Sequence, residues 1–163
     1  MNTLFGTIKN IVGDVFMGEK GKRSHQAVHE EYVRKIVEIG RRLGYETEGV
    51  KTPIGQLDAS WYEGRLSSYI EEMESLPVVV FEVVCSEDQK SLRGSLLNMI
   101  SARPSLAVFV LVKSEIKKRG GEKWLKRIEN YVEKLKNEFR GIIRIDVWDE
   151  DKVNKLYGEI PRK

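Results

Sequence analysis

The stretch Leu76-Pro77-Val78-Val79-Val80-Phe81-Glu82-Val83-Val84-Cys85 decides how the rest of the chain is read. Pro77 cannot donate to a β-ladder, so it suits the entry to a strand rather than its middle. From Val78 to Val84 every residue but Glu82 is apolar, and β-branched and aromatic side chains favour the pleated backbone. A half-buried strand alternates apolar and polar. This one is apolar on both faces, as expected of a central strand covered on two sides. Glu82 is the exception inside it.

Reading downstream, Lys90 to Ala102 places Leu92, Leu96, Leu97 and Ile100 at helical spacing, and Arg103-Pro104 ends the helix. Leu106 to Val112 is a second fully apolar strand. Residues 78 to 112 therefore form a β-α-β unit with parallel strands and a right-handed crossover. A long charged helix is expected from Glu122 to Phe139, a strand from Ile142 to Trp148 and a short helix from Asp151 to Tyr157.

Upstream, a helix runs from Gln26 to Leu43 with Val28, Tyr32, Val33, Ile36, Val37 and Leu43 on its apolar face. Ser24 suits its N-cap and Gly44 its left-handed C-terminal cap. Tyr45 to Thr52 and Gln56 to Tyr62 read as strands around the Pro53-Ile54-Gly55 turn, and Ser67 to Glu74 as a short helix. At the start, Leu4, Phe5, Ile8, Ile11, Val12, Val15 and Phe16 form one helical stripe, followed by a basic, glycine-punctuated linker. The expected fold is α/β, a mixed central β-sheet flanked by helices. Residues 1–24 would be an amphipathic helix and linker appended to one domain, 25–163.

The 163 residues suffice for one hydrophobic core. With 40% apolar and 33% charged residues, the chain is neither collagen-like nor disordered. A net charge of +3 excludes binding to nucleic acid by bulk charge, so any such surface must be local. No run of about 18 apolar residues is long enough for a membrane span. Gly13 and Asp14 interrupt the apolar N-terminal stretch, which argues against a signal peptide and for a cytoplasmic protein. The lone Cys85 excludes a disulfide framework and a cysteine zinc site, and its neighbours predict a buried thiol. Abundant Lys, Glu and Arg match the composition of thermophile proteins.

Glu82 carries the chemistry. A buried carboxylate must be paired, protonated or bound to a cation. Asp58, in Gly55-Gln56-Leu57-Asp58-Ala59-Ser60-Trp61, converges on Glu82 if the two strands are neighbours. Two carboxylates, the Val83 carbonyl and waters would make an oxygen site for Mg²⁺ or Mn²⁺. The plain alternative is an ion pair of Glu82 with Arg93 or Lys113. Lys20, Lys22 and Arg23, and likewise Lys117, Lys118 and Arg119, stand in glycine-bearing loops with few acids and are candidates for phosphate contacts. Lys123, Lys126, Arg127, Lys134 and Lys136 on the long helix read as a solvated face stitched by pairs such as Glu122–Lys126 and Asn130–Lys134, the alternative being a phosphate-contacting ridge. His29, four residues from His25, reads as a core-edge residue, since a two-histidine set lacks a third ligand. Trp61 and Tyr62 either pack or stack on a base, and Gly94 and Ser95 are read as small for close packing.

An acid-bearing helix, a hairpin with Asp58, a strand with Glu82, a helix and another strand together resemble the core of the PD-(D/E)xK nuclease superfamily. That core is the restriction-endonuclease-like α-β-β-β-α-β arrangement. The resemblance spans about residues 26 to 112. It is carried by Ile54-Gly55-Gln56-Leu57-Asp58, by Phe81-Glu82-Val83-Val84 and by Ser91-Leu92-Arg93-Gly94-Ser95-Leu96-Leu97. It implies that Asp58 and Glu82 hold Mg²⁺ and that Glu30 or Glu31 holds a second metal or its water shell. The implied reaction is attack of metal-activated water on a DNA phosphodiester, in a homodimer. The chain departs from the pattern at Val84, which stands where the family has lysine. Lys90 reaching back from the next helix, Lys113 at the end of the neighbouring strand, or Gln89 orienting water could replace it. If nothing does, the chain is a non-catalytic nucleic-acid-binding or assembly relative. A third reading is an α/β protein-interaction module. No Gly-rich phosphate loop follows a strand.

Overall fold

A computed structural model of the protein describes residues 24–48, 55–63 and 76–161. The expected N-terminal helix, Lys20, Lys22, Arg23, Pro53, Ile54 and the Ser67–Glu74 helix lie outside the described residues. Within them the order is α1 (His25–Leu43), β1 (Glu46–Glu48), β2 (Ala59–Tyr62), β3 (Val79–Val84), α2 (Gln89–Ser101), β4 (Leu106–Leu111), α3 (Lys113–Glu138), β5 (Ile145–Asp149) and α4 (Glu150–Glu159).

The strands form one sheet in the order β1-β2-β3-β4-β5. Both β1–β2 and β2–β3 are antiparallel, whereas β3–β4 and β4–β5 are parallel. The sheet is therefore mixed, and the fold is α/β as expected. The β3-α2-β4 unit has the predicted parallel pairing, with Glu82 opposite Phe109.

Alternation along β3 divides its side chains between two apolar layers. Val80 and Val84 face Leu92, Leu96 and Met99 of α2 and Ile128, Val132 and Leu135 of α3. Val79, Phe81 and Val83 face Tyr32, Ile36 and Ile39 of α1 and Val153 of α4. Coverage on both sides explains why the strand carries no polar alternation. Trp61 lies in the α1 layer, donates its indole N–H to the Ile36 carbonyl at 3.1 Å and packs on Phe81, Trp148 and Tyr45. It serves packing rather than base stacking.

Ser24 caps α1 by accepting from the Ala27 N–H, and Gly44 closes it in the left-handed region, φ 92°. The boundary that differs most is that of α3. It starts at Lys113, so Lys117, Lys118 and Arg119 lie in a helical turn and not in a loop. The break is confined to Gly120 and Gly121, where Gly121 takes φ 69°. Burial of Glu115 and Ile116 fixes that first segment, a contribution that the charged sequence around them hides. Gly94 is exposed and a Cβ added to it would meet nothing within 4 Å, so close packing does not account for it. Among the described residues no helix is long and apolar enough to cross a membrane.

Candidate functional site

Glu82 is the fourth residue of β3 and points into the α2 layer. Asp58 sits in the bend just before β2, one step beyond the Ala59–Phe81 pair. That register brings it against the peptide that follows Glu82. The Val83 N–H donates to Asp58 Oδ2 at 2.8 Å. The sequence-predicted pair is thus brought together. Val83, expected to offer its carbonyl to a metal, uses its N–H to fix Asp58.

The two carboxyls are held by different partners. Glu82 Oε1 accepts from Ser95 Oγ at 2.6 Å. Asp58 Oδ2 also meets His29 Nε2 of α1 at 3.0 Å. Asp58 Oδ1 and Glu82 Oε2 have no hydrogen bond among the described residues, so one oxygen of each carboxyl remains for a ligand.

The electrostatics follow from this placement. Burial pushes the Glu82 carboxyl up to about 8, and the Asp58 charge adds to the rise. Ser95 works in the opposite direction, and a third acid, Glu87, raises it further. Glu87 is fixed in turn by the N–H groups of Cys85 and Ser86, at 2.7 and 2.8 Å. The hydrogen bond to Asp58 raises the His29 imidazole above its ordinary value; burial opposes this and the carboxylate charges reinforce it. Cys85 is buried, as expected, and desolvation lifts its thiol to about 12, outside the range of a nucleophile at neutral pH.

The other predicted residues are placed differently. Glu30 is exposed, accepts from Gln26 at 3.1 Å, and lines a cavity of about 600 Å³ with His29, Gln56 and Asp58. Glu31 instead bonds Lys35, which reaches Asn154 of α4. Lys90 is exposed at the second residue of α2 and makes no ion pair or side-chain hydrogen bond among the described residues. Lys113 is held at 3.3 Å by Asp149 and 3.5 Å by Glu129, beyond the ends of β4 and β5. Arg93 is engaged by Glu138. Neither Lys113 nor Arg93 pairs with Glu82, which removes the simple ion-pair explanation for it. Gln89 lines a groove against α3. Lys117 pairs with Glu122 at 2.7 Å and Lys118 pairs with Glu115, so this turn does have acids to cancel it. Arg119 donates to the Ser86 carbonyl and stacks on Trp124.

Sequence reasoning missed His29 and Ser95. The available signals were spacing: Ser95 stands on the same α2 face as Asn98, and His29 stands one turn after His25 on α1. His25 Nδ1 likewise meets an acid, Glu115 Oε2, at 2.8 Å.

No group of three or more His, Cys, Asp or Glu side chains that could hold a metal ion occurs among the described residues. The donor set present is two carboxylates with a neighbouring backbone carbonyl. Its chemistry fits a hard cation that keeps much of its water shell, because like charges at one point call for a positive counter-charge. A scan against protein-family models and a search of curated proteins give no significant match for this chain.

Proposed function

We propose that the protein is a Mg²⁺-dependent nuclease with a restriction-endonuclease-like core, hydrolysing DNA phosphodiester bonds at the Asp58–Glu82 pair. The observation that carries this reading is the placing of Asp58 on the Val83 N–H, next to Glu82, with Glu82 raised by burial and by the Asp58 charge. Asp58, Glu82 and the Val83 carbonyl would hold the ion. When bound, it supplies a more acidic water and positive charge for the phosphate. Ser95 orients Glu82 by donating to one oxygen and leaving the other for the ligand. His29 and the Val83 N–H fix Asp58 through its Oδ2. His29 also supplies positive charge beside the carboxylates. Glu30 borders the same cavity and could act on the water shell.

The non-catalytic reading has one observation in its favour: neither Lys90 nor Lys113 contacts the pair. Plasmid and branched-DNA cleavage in Mg²⁺ or Mn²⁺ separates the two. Hydrolysis by the wild type that is lost in Asp58→Asn and Glu82→Gln supports the nuclease. Cleavage that persists in both variants refutes the site. Calorimetric Mg²⁺ or Mn²⁺ binding without cleavage supports the non-catalytic relative.

A further inference from the structure

The acids of the second half of α3 are drawn to partners that leave one face uncancelled. Glu122 pairs with Lys117, Glu129 with Lys113, Glu133 with Lys136, and Glu138 with Arg93. The expected Glu122–Lys126 pair does not form. Lys123, Lys126 and Lys134 consequently have no acid within ion-pair distance among the described residues. Arg127 stacks on Trp124, 5.4 Å from the ring centre, and has no acid either. These four cations stand at i, i+3, i+4 and i+11, with Asn130 between them, on one helical face. With Gln89 from the start of α2 they line an open groove of about 600 Å³.

The dimensions suit a linear polyanion. Lys123 to Lys134 covers about 16 Å of helix at 1.5 Å per residue. One strand of a duplex presents a phosphate about every 3.4 Å of its axis, so the face spans four or five phosphates. A membrane surface fits less well, since interfacial helices set aromatic or aliphatic side chains beside their basic groups. Here the two rings beside the basic groups do not project: Trp124 is covered by Arg119 and Arg127, and both Trp124 and Tyr131, which lines the groove, are partly buried against the core.

We propose that the face of α3 bearing Lys123, Lys126, Arg127 and Lys134 is the surface on which a nucleic-acid phosphate backbone lies. This surface gives the nuclease reading its substrate-holding element, and it rests on that reading only for the choice of DNA as the ligand.

The test is fluorescence-anisotropy titration of the full chain with a 20-base-pair duplex and with the corresponding single strand, in EDTA, across 50 to 200 mM KCl. Four phosphate contacts predict a slope of log K on log salt of at least about −3.6 for duplex, or about −2.8 for a single strand. The variant Lys123→Gln/Lys126→Gln/Lys134→Gln should reduce the duplex slope by about 2.7 and weaken binding at 50 mM KCl more than tenfold. Because these side chains are exposed, its thermal unfolding should match the wild type. A Lys117→Gln/Lys118→Gln control, which removes cations already paired with acids, should change the slope by less than one. An unchanged slope in the triple variant overturns the proposal. So does failure of the wild type to bind either nucleic acid, or capture of anionic phospholipid vesicles in its place. A chain that binds through this face but never cuts leaves the surface standing and removes the hydrolytic reading. A chain that cuts DNA while the triple variant binds unchanged does the reverse.

Discussion

Replacing Glu82 with Gln should stabilise the metal-free protein in alkali and leave it nearly unchanged in acid. The native carboxyl titrates near 8 and the ordinary value is 4.5, so the folded state holds its proton over a range in which the unfolded chain has lost it. Below pH 4.5 both states are protonated and no difference exists. As pH rises toward 8 the unfolded chain gains charge freely while the native one does not, so stability declines; above 8 the full penalty applies. The gap of about 3.5 pH units corresponds to at most about 5 kcal/mol, at 1.36 kcal/mol per unit. Part of that repulsion is shared with Asp58, which brings the expected gain to about 2–4 kcal/mol. In a chain of 163 residues each kcal/mol moves Tm by about 2–4 °C, so the variant should melt about 5–15 °C higher at pH 8.5. The Gln carbonyl can still accept from Ser95, so the substitution removes the charge and keeps the contact. Thermal unfolding at pH 5, 7 and 8.5 in EDTA measures the effect. Wild-type and variant curves that stay parallel over this range would refute the reasoning. Millimolar Mg²⁺ should then stabilise the wild type at pH 8.5 and leave the Gln variant little changed, because only the carboxylate pair lacks a counter-charge.

Other positions give independent checks. His29→Gln should lower stability most below pH 6.5 and progressively less as pH rises through the raised imidazole value, because the charged pair with Asp58 is lost on deprotonation; urea unfolding at several pH values reads this. Gly40→Ala should cost about 1–3 kcal/mol despite alanine's helix preference. Its Cβ would lie 2.5 Å from the Trp61 indole nitrogen, a ring fixed by its bond to Ile36. Gly94→Ala, on the exposed face of α2 with nothing within 4 Å, should instead gain about 0.5–1 kcal/mol in the same assay. Arg42→Ala should cost about 2–4 kcal/mol in thermal melts. The buried guanidinium bonds Glu38 and the carbonyls of Tyr157 and Ile160 and stacks on Tyr157, joining α1 to the end of α4.

The strands were legible where burial alone dictates sequence. Val78 to Val84 and Leu106 to Val112 are apolar because helices cover both faces, which made the parallel pair and the one acid among those strands, Glu82, stand out. Asp58 was legible because a hairpin strand next to β3 could place its carboxyl at few other points. His29 was not: whether a helix residue reaches the sheet edge depends on how α1 crosses the sheet, which periodicity does not contain. The Lys117–Arg119 turn misled for a related reason. Gly120-Gly121 looks like a loop, but the chain bends sharply at those two residues only, and the bend itself delivers Glu122 to Lys117. Lys90 and Lys113 were attractive as long flexible amines near the motif. Their actual neighbours are set by solvent in one case and by Asp149 and Glu129 in the other.

The strand order β1-β2-β3-β4-β5 has a consequence for how the chain acquires its structure. Among the described residues every strand pairs with the one made just before it, so only α1, which packs on α4, must wait for a distant partner. Growth of the sheet can follow synthesis from the ribosome, each new strand docking on an edge already formed. Sequential pairing keeps the strand contacts of the sheet shorter in sequence than interleaved strand orders of equal size would, which favours faster assembly of the sheet. The parallel additions β4 and β5 are the slow steps, since each must first close a helical crossover. Until β5 arrives, the apolar edge of β4 is the surface most open to association with another chain.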